Sequence, residues 1–418
     1  MASPATVGGI ATDAGEFRRG WTLVLAAAVG VALGLSPIPF YELGLFAPEL
    51  AREFNWPIAT IMGGVFFMMA GVIIMAPIVG WLSDRYGVRR VTLTSIVGFS
   101  LSLALFTVQT GSTVMYFGTW LLMAIAGAGT LPITWTRTVN QCFDTHKGLA
   151  LGITLTGTGL SGVLLKPAVA AAIAAFGWRG GFLLLALLPI LIALPVAWLF
   201  FRVVPANNIR QQRITSQEGL TLHQALRDWR FWVIGLGMLP IAFGVAGPIP
   251  NLEMILSTRA VSKETILYTL PFLGLAVIAG RLLGGWLVDR FWAPAVAVCL
   301  LGLSALAIWS LAHGPTDTLS VTLSIIGLGV AAGVEFDLLA FLAARYFGVA
   351  HCGGIYGFLY VFFALGSGVA PFVFGRAYDS ARSFSGVLTL SAGLLMLGAL
   401  MFISLGPYRY STPPNSVR

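Results

Sequence analysis

The sequence predicts an all-α membrane protein with twelve transmembrane helices, arranged as two pseudo-symmetric six-helix bundles. Hydrophobic residues make up 57% of the 418 residues and charged residues only 10%, whereas a soluble domain has about 25% charged residues. The apolar residues fall in runs of about 20, the length of helix that crosses a hydrocarbon core of about 30 Å. The hexapeptide GWLSDR at Gly80 also returns as GWLVDR at Gly285, which indicates two similar halves.

Twelve apolar runs account for the predicted helices. We place them at residues 21–46, 59–81, 91–109, 113–137, 149–175, 180–201, 231–252, 267–288, 294–313, 318–343, 354–375 and 385–407. Lipid cannot satisfy open backbone groups and the alternation of a barrel strand is absent, so each run is predicted to be helical. The polar stretch after the sixth run divides the chain into residues 1–202, a cytoplasmic linker at 203–229 and residues 230–418. Within the linker, residues 221–227 are predicted to form a short amphipathic helix.

The distribution of Lys and Arg predicts which side of the membrane each loop occupies. If the N-terminus lies inside, the inner loops and tails contain 15 of these residues and the outer loops contain 6. The positive-inside rule favours this orientation. We therefore expect a multi-pass protein of the cell (inner) membrane, with both termini in the cytoplasm.

Several classes of function are not supported by the sequence. The net charge of +8 comes from basic residues in short loops, where membrane orientation explains them, so we expect no nucleic-acid partner. The three cysteines form no CxxC pair, and the histidines show no metal-binding spacing. No nucleophile–base arrangement and no GxxxxGK phosphate loop is present. We predict a protein that is not an enzyme, has no metal or other cofactor, and is not driven by ATP.

The repeated hexapeptide marks a charged turn in each half. Its first copy continues to Arg90 as GWLSDRYGVRR, whereas the second ends without this basic cluster. The first copy closely resembles the loop motif between helices two and three of the major facilitator superfamily. There a carboxylate can bridge to a neighbouring helix in one conformation and release it in the other. The resemblance implies a gating role for Gly80, Asp84, Arg85, Arg89, Asp289 and Arg290.

Three further stretches resemble the monocarboxylate and oxalate–formate group of that superfamily. They are residues 44–56 with GLF, PEL and FNW, residues 135–152 with WTRTV and KGLALG, and residues 333–357 with GVEFD, ARYFG and IYG. The resemblance implies alternating access, in which two six-helix halves rock about a central site that opens to one side at a time. The Gly-Pro signature of drug exporters in helix five is absent between Gly157 and Pro167.

Ionisable residues inside the apolar runs are the candidate site residues, because a charge in the bilayer is costly. Arg281 lies eight residues before Asp289, about 12 Å along the helix and near mid-bilayer. A guanidinium stays charged and binds a carboxylate through two parallel hydrogen bonds. Related monocarboxylate carriers place a substrate-binding arginine here, although Val277 stands where they have a carboxylate one turn earlier. We predict that Arg281 binds substrate; the alternative is a structural pair with an acid of the tenth run.

Two carboxylates lie close together in the tenth run. Glu335 and Asp337 are two residues apart, so they point to nearly opposite faces of a helix and only one is expected to face a central cavity. A carboxylate that loses its water binds a proton more readily. Each is therefore a candidate for proton coupling, and a fixed salt bridge to Arg281 or to a helix end is an equal alternative.

Three other charges allow two interpretations each. Arg137 lies about 10 Å from the inner loop and either lines the cavity or extends to the inner surface. Lys166, followed by Pro167, is either a second anion contact or extends to the outer surface. Glu42 follows Pro37 and Pro39 near the outer end of the first run; we expect it to lie at the membrane interface, and a functional role is the alternative.

These observations predict a secondary active transporter, since duplicated membrane bundles with charged turns are typical of that class. We expect a carrier of a small organic carboxylate, held by Arg281 with Lys166 or Arg137 and coupled to a proton in symport. Exchange of one carboxylate for another, a carrier of neutral or drug-like solutes, and a non-transporting membrane sensor stay open. The expected partners are the carboxylate, H+ and the lipid bilayer, and no oligomer is required.

Overall fold

The computed structural model describes residues 14–143, 147–201, 219–348 and 352–410, and helices make up nearly all of them. No strand is present in these ranges beyond an isolated bridge between Gly219 and Gly348. The α-helices are α1 (Ala14–Ala32), α2 (Pro37–Phe54), α3 (Ile58–Tyr86), α4 (Val88–Leu105), α5 (Thr113–Gly127), α6 (Pro132–Cys142), α7 (Lys147–Leu188), α8 (Leu194–Phe200), α9 (Leu222–Arg227), α10 (Trp229–Ala246), α11 (Leu252–Thr258), α12 (Lys263–Thr269), α13 (Pro271–Arg290), α14 (Ala293–His313), α15 (Thr318–Phe347), α16 (Cys352–Ala381) and α17 (Ser385–Met401).

Twelve membrane crossings follow from these helices. Eleven helical segments in the described part of the chain are long and apolar enough to cross a membrane. One of them, Gly148–Phe200, has 53 residues and a length of about 80 Å, enough for two crossings of a core about 30 Å thick. It is divided at Gly177, whose φ of 72° and ψ of 178° are not helical. The expected twelve-helix membrane fold is therefore confirmed.

Two predicted spans are interrupted in the middle. The first was expected to be continuous over 21–46, but α1 ends at Ala32 and α2 begins at Pro37, because proline has no N–H to continue a helix and suits its first turn. The fourth is divided in the same way before Pro132. Thr130 joins the two breaks, because its Oγ1 accepts a hydrogen bond of 3.0 Å from the Leu35 N–H.

The chain between the halves is described only in part. Residues 202–218, which include most of the linker predicted at 203–229, lie outside the described residues. The short helix expected at 221–227 is confirmed as α9, which begins with a capping box between Thr221 and Gln224. Its approach is fixed by a 2.8 Å hydrogen bond from the Leu220 N–H to the Phe347 carbonyl. The division of the chain at 202 and 230 stays a prediction.

The helices pack in two groups that meet along a few contacts. Helices α1–α8, the N-terminal group, pack mainly on one another, as do helices α10–α17, the C-terminal group. Long contacts between the groups join α3 to α16 and α7 to α13, and a short one joins α2 to α11. Glycines allow this close approach. A Cβ added at Gly159 would lie 2.5 Å from the Gly274 carbonyl oxygen, and one added at Gly375 would lie 2.7 Å from Ala59 Cα.

The groups touch at one end of the bundle and separate at the other. The tight contacts lie toward the loops at 55–57, 177–181, 259–262 and 382–384, which we call the closed end; the opposite end, with the loops at 87 and 291–292, is the open end. Gly368 of α16 meets Met69 of α3. Eleven residues, about three helical turns, separate Gly80 from Met69 and Gly357 from Gly368, and Gly354 lies one further turn along, so these glycines continue the two contact faces toward the open end. An added Cβ at any of these would meet no described atom within 4 Å. The gap between the groups therefore widens toward the arginine-rich loops.

Candidate functional site

Arg281 lies inside the C-terminal group, against α15. A Cβ added at Gly333 would lie 2.8 Å from the Arg281 backbone nitrogen, and one added at Gly280 would lie 2.6 Å from the Val330 carbonyl oxygen. Small residues let the two backbones touch. This contact brings the Arg281 guanidinium beside the acids of α15. Its Nε lies 3.4 Å from Asp337 Oδ2, and the Arg281 side chain is 7% exposed.

The Arg281 guanidinium keeps unfilled hydrogen-bond donors. Nε and Nη1 are buried and have no hydrogen-bond partner among the described residues, because the ion pair with Asp337 lacks hydrogen-bond geometry. The Asp337 side chain is 30% exposed. Glu335 is buried on the other face of α15, and its Oε2 also lacks a described partner. A cation and two carboxyls therefore meet here with spare donor capacity, which a ligand carboxylate would fill.

Two tyrosines complete this central cluster, which we define as Arg281, Glu335, Asp337, Tyr41 and Tyr360. Tyr41 on α2 interacts electrostatically with both Arg281 and Glu335, and Tyr360 on α16 interacts with Glu335. Tyr41 is the member contributed by the N-terminal group, and it is buried. The sequence analysis did not single out Tyr41. The cluster therefore has members from both groups of helices.

A second charged cluster lies at the closed end. Lys166 on α7 forms an ion pair with Glu253 on α11, and the two side chains are only 1% and 11% exposed. Glu42 on α2 interacts with both charges and is 1% exposed. We call Glu42, Lys166 and Glu253 the closed-end cluster. Lys166 extends to neither surface, and it is held by a protein carboxylate.

The expected interfacial position of Glu42 is wrong. The chain restarts as α2 at Pro37, so Glu42 enters the interior one turn later and packs in an apolar environment with Leu43, Phe46 and Trp120. Glu253 was not singled out, because it lies just beyond the run predicted at 231–252. Two features of the sequence could have identified Glu253. Pro248 and Pro250 break the helix before α11, and Glu253 is a lone acid just after this break.

The loop motif at the open end forms its own contacts. Asp84 at the end of α3 pairs with Arg137 of α6, and both side chains are partly exposed. Arg137 is thus brought to the loop motif instead of the central cluster. The Arg89 guanidinium donates a 2.6 Å hydrogen bond to the Trp198 carbonyl oxygen.

The other motif cations lie on aromatic rings of the same turns. Arg85 lies over Trp81, 5.4 Å from the ring centroid, and Arg290 lies over Trp286 at 4.0 Å. Asp289 is exposed and Gly80 has free space around its Cα. Within the described ranges no group of three or more His, Cys, Asp or Glu residues is placed to hold a metal ion.

Comparisons with known proteins agree with this architecture. The family model described as Major Facilitator Superfamily matches residues 20–371. The chain is 27% identical to human "Monocarboxylate transporter 11" over 403 residues, which covers 94% of this chain and 84% of that protein. It is 26% identical to "Probable sulfoacetate transporter SauU" of Cupriavidus necator, covering 78% of this chain and 80% of that protein.

A solved structure has the same fold. It is a bacterial homologue of the human lysosomal transporter Spinster in an inward-facing and occupied conformation. The TM-score is 0.69 at 15% identity, over 94% of this chain and 97% of that chain. At this identity the likeness shows the fold alone.

Proposed function

The chain belongs to the Major Facilitator Superfamily, and we propose that it carries a small organic carboxylate across the membrane by alternating access, together with a proton. As a member of that family it is a multi-pass transporter and not an enzyme. The observation that carries the carboxylate proposal is Arg281, a buried guanidinium with hydrogen-bond donors that no described residue fills. The names of two relatives, a monocarboxylate and a sulfoacetate transporter, support the same class of substrate.

Arg281 is proposed as the substrate anchor. The group stays charged at every working pH, and its planar fork matches the two oxygens of a carboxylate. Tyr41 faces the same cluster from the other group of helices, so a bound anion would contact both groups. Such a contact changes when the groups move. The substrate therefore interacts differently with the two conformations, which is required for it to shift the equilibrium between them.

Asp337 is proposed as the first candidate for the coupled proton, with Glu335 as the second. Asp337 is the carboxylate nearer the guanidinium and is exposed enough to exchange a proton. While Asp337 is ionised, it compensates the charge of Arg281; once Asp337 is protonated, the substrate carboxylate compensates that charge instead. Substrate and proton therefore enter together, and the site keeps the same net charge. Lys166 and Arg137 are paired to other acids and are not needed in this step.

The Arg281–Asp337 pair also supports symport over obligatory exchange. An exchanger requires that the empty carrier cannot reorient, which an uncompensated buried cation would ensure. Here the empty site contains its own counter-charge at 3.4 Å. The empty carrier can therefore return without a second carboxylate, and symport is the better proposal.

Uptake by purified protein in liposomes tests the anchor. Arg281→Lys keeps the charge and loses the two-bond geometry, so carboxylate uptake should fall about 10- to 100-fold, the equivalent of losing one charged hydrogen bond of about 1.5–3 kcal/mol. Arg382→Lys, on an exposed loop residue whose side chain lies over Tyr378, is the matched control and should transport normally. Unchanged carboxylate uptake by Arg281→Lys would contradict the anchor and favour a neutral or drug-like substrate.

A pH-gradient experiment tests the coupling. Asp337→Asn should exchange labelled for unlabelled carboxylate across the membrane but should no longer concentrate it in response to an imposed proton gradient. If only Glu335→Gln abolishes accumulation, the proton is carried by Glu335. If neither does, the proton proposal fails, and ligand binding without movement in any variant would indicate a sensor.

A further inference from the structure

The closed-end cluster contains three ionisable groups from three helices and from both groups of helices. Glu42 on α2 and Lys166 on α7 belong to the N-terminal group, and Glu253 on α11 belongs to the C-terminal group. The ion pair between Lys166 and Glu253 therefore crosses the contact between the groups. Opening of the closed end must separate this pair.

The charges in this cluster do not balance if all three groups are ionised. Lys166 supplies one positive charge and pairs with Glu253, while both Glu42 carboxyl oxygens are buried without a hydrogen-bond partner among the described residues. The charged groups that act on the Glu42 carboxyl are Lys166 on α7 and Glu253 on α11. The surfaces that α4, α5 and the far part of α7 present to it are apolar, with Leu103, Trp120 and Phe182.

An ionised carboxylate left unpaired in such surroundings is strongly unfavourable, and a buried group of this kind takes up a proton instead. We propose that Glu42 is a second proton site, which binds a proton from the closed-end side of the membrane and thereby locks that end. This proposal rests on the alternating-access motion proposed above, but not on the identity of the substrate or on Asp337.

The proposed cycle exchanges one ion pair for another. When the closed end opens, Glu253 leaves with the C-terminal group, while Lys166 and Glu42 stay together on α7 and α2. Lys166 then pairs with Glu42, whose O–H bond breaks and whose proton passes to water on that side. On closing, Glu42 takes a proton back from the same side, and Lys166 returns to Glu253.

This proton returns to the side from which it came. It therefore does not enter the ratio of protons to substrate in transport, unlike a proton carried by Asp337. Its effect is regulatory: acid on the closed-end side should hold that end shut. With one proton per event, the ratio of closed to open molecules changes by at most tenfold per pH unit.

Distance measurements between spin labels test this site directly. Labels at Thr110→Cys and Ser383→Cys, both exposed closed-end loop residues from different groups, report closure once the three native cysteines are replaced by alanine. In nanodiscs without substrate, the fraction of molecules with the closed end shut should rise as the pH is lowered from 8 to 5. Glu42→Gln should keep the closed population high at both pH values. Glu253→Gln, which removes the partner of Lys166, should lower the closed population at both pH values.

The outcomes separate this inference from the proposed function. In Asp337→Asn the pH response should persist, and in Glu42→Gln the proton-to-substrate ratio should be unchanged. A normal pH response in Glu42→Gln, or none in the parent protein, would overturn the proposal. If Glu42→Gln does not fold, Glu42→Asp provides the second variant, since its shorter carboxyl should shift the midpoint of the response while retaining it.

Discussion

The central cluster and the closed-end cluster contain the same charges but use them differently. Each has one cation and two carboxyls. In the central cluster the cation and both acids belong to the C-terminal group, the pair is loose at 3.4 Å, and donors are left over. In the closed-end cluster the pair is hydrogen-bonded, nearly dry and shared between the groups. A loose ion pair inside one group leaves donors for a ligand. A tight ion pair between the two groups instead stabilises the closed conformation.

Removal of the two cations should give the largest difference between the clusters. Lys166→Met leaves Glu253 and Glu42 in a dry site, so we expect a loss of about 3–5 kcal/mol in the free energy of unfolding. Arg281→Met should cost less, because Asp337 is 30% exposed and retains some water. Thermal unfolding of the two variants in the same detergent measures this. Equal losses would remove the distinction between the clusters.

The contact between α7 and α13 provides the next test. A Cβ at Gly274 would lie 2.7 Å from the Val163 backbone nitrogen, whereas a Cβ at Gly285 on the same helix has free space. Gly274→Ala should therefore force the groups apart. We expect it to lower either the free energy that favours the closed conformation or the free energy of unfolding by about 1–3 kcal/mol, as overpacking does. Gly285→Ala is the matched control. Label distances at the closed end and unfolding temperatures distinguish the two effects.

A smaller effect is expected at the N-terminus of α3. Asp379 of α16 accepts hydrogen bonds from the Ile58 and Ala59 N–H groups at 3.0 and 2.8 Å, so it is a cap supplied by the other group of helices. Asp379→Asn should lower the free energy that favours the closed over the open conformation by about 0.5–2 kcal/mol. The label distances at the closed end measure this change.

Asp317 provides the control for this cap. It caps its own helix α15 through the Ser320 N–H at 3.0 Å, and this hydrogen bond lowers the pKa of the exposed Asp317 carboxyl. Asp317→Asn should leave the closed population unchanged. An equal shift in both variants would mean that Asp379 stabilises a helix without joining the groups.

The smallest effect is expected at Tyr41. Its hydroxyl is the contribution of the N-terminal group to the central cluster, and a single neutral hydrogen bond is worth about 0.5–1.5 kcal/mol. Tyr41→Phe should therefore raise the KM for carboxylate about 2- to 10-fold, while label distances at the closed end stay unchanged. A normal KM would place the substrate away from the N-terminal group.

The sequence predicted the crossings well, because each depends on a local property. Long apolar runs must be helical in lipid, and a gap as short as 176–179 was recognised between two of them. The breaks near Pro37 and Pro132 were not predicted, although proline was visible at both. Proline does not always end a membrane helix, and here the break depends on Thr130 accepting the Leu35 N–H, a contact between distant parts of the chain.

The site residues were predicted only from the free-energy cost of placing a charged side chain in the bilayer. That cost directed attention to Arg281, Glu335 and Asp337, which the structure brings together on α13 and α15. It gave no partner for Lys166, because Glu253 is 87 residues away and follows no periodic pattern. Glu42 was misplaced because the break before Pro37 was not predicted, and with it the packing of Glu42 among α2, α4, α5 and α7.

The backbone contact between Gly159 and Gly274 has a mechanical consequence. The two backbones approach closely there, with the side chains of Ile278 and Val163 packed beside the glycines, so the contact can serve as a pivot about which one helix tilts over the other. From Gly274 to Arg290 the lever is about 24 Å long. A tilt of about 10° would move its tip by roughly 4 Å, which changes the gap between the groups at the open end.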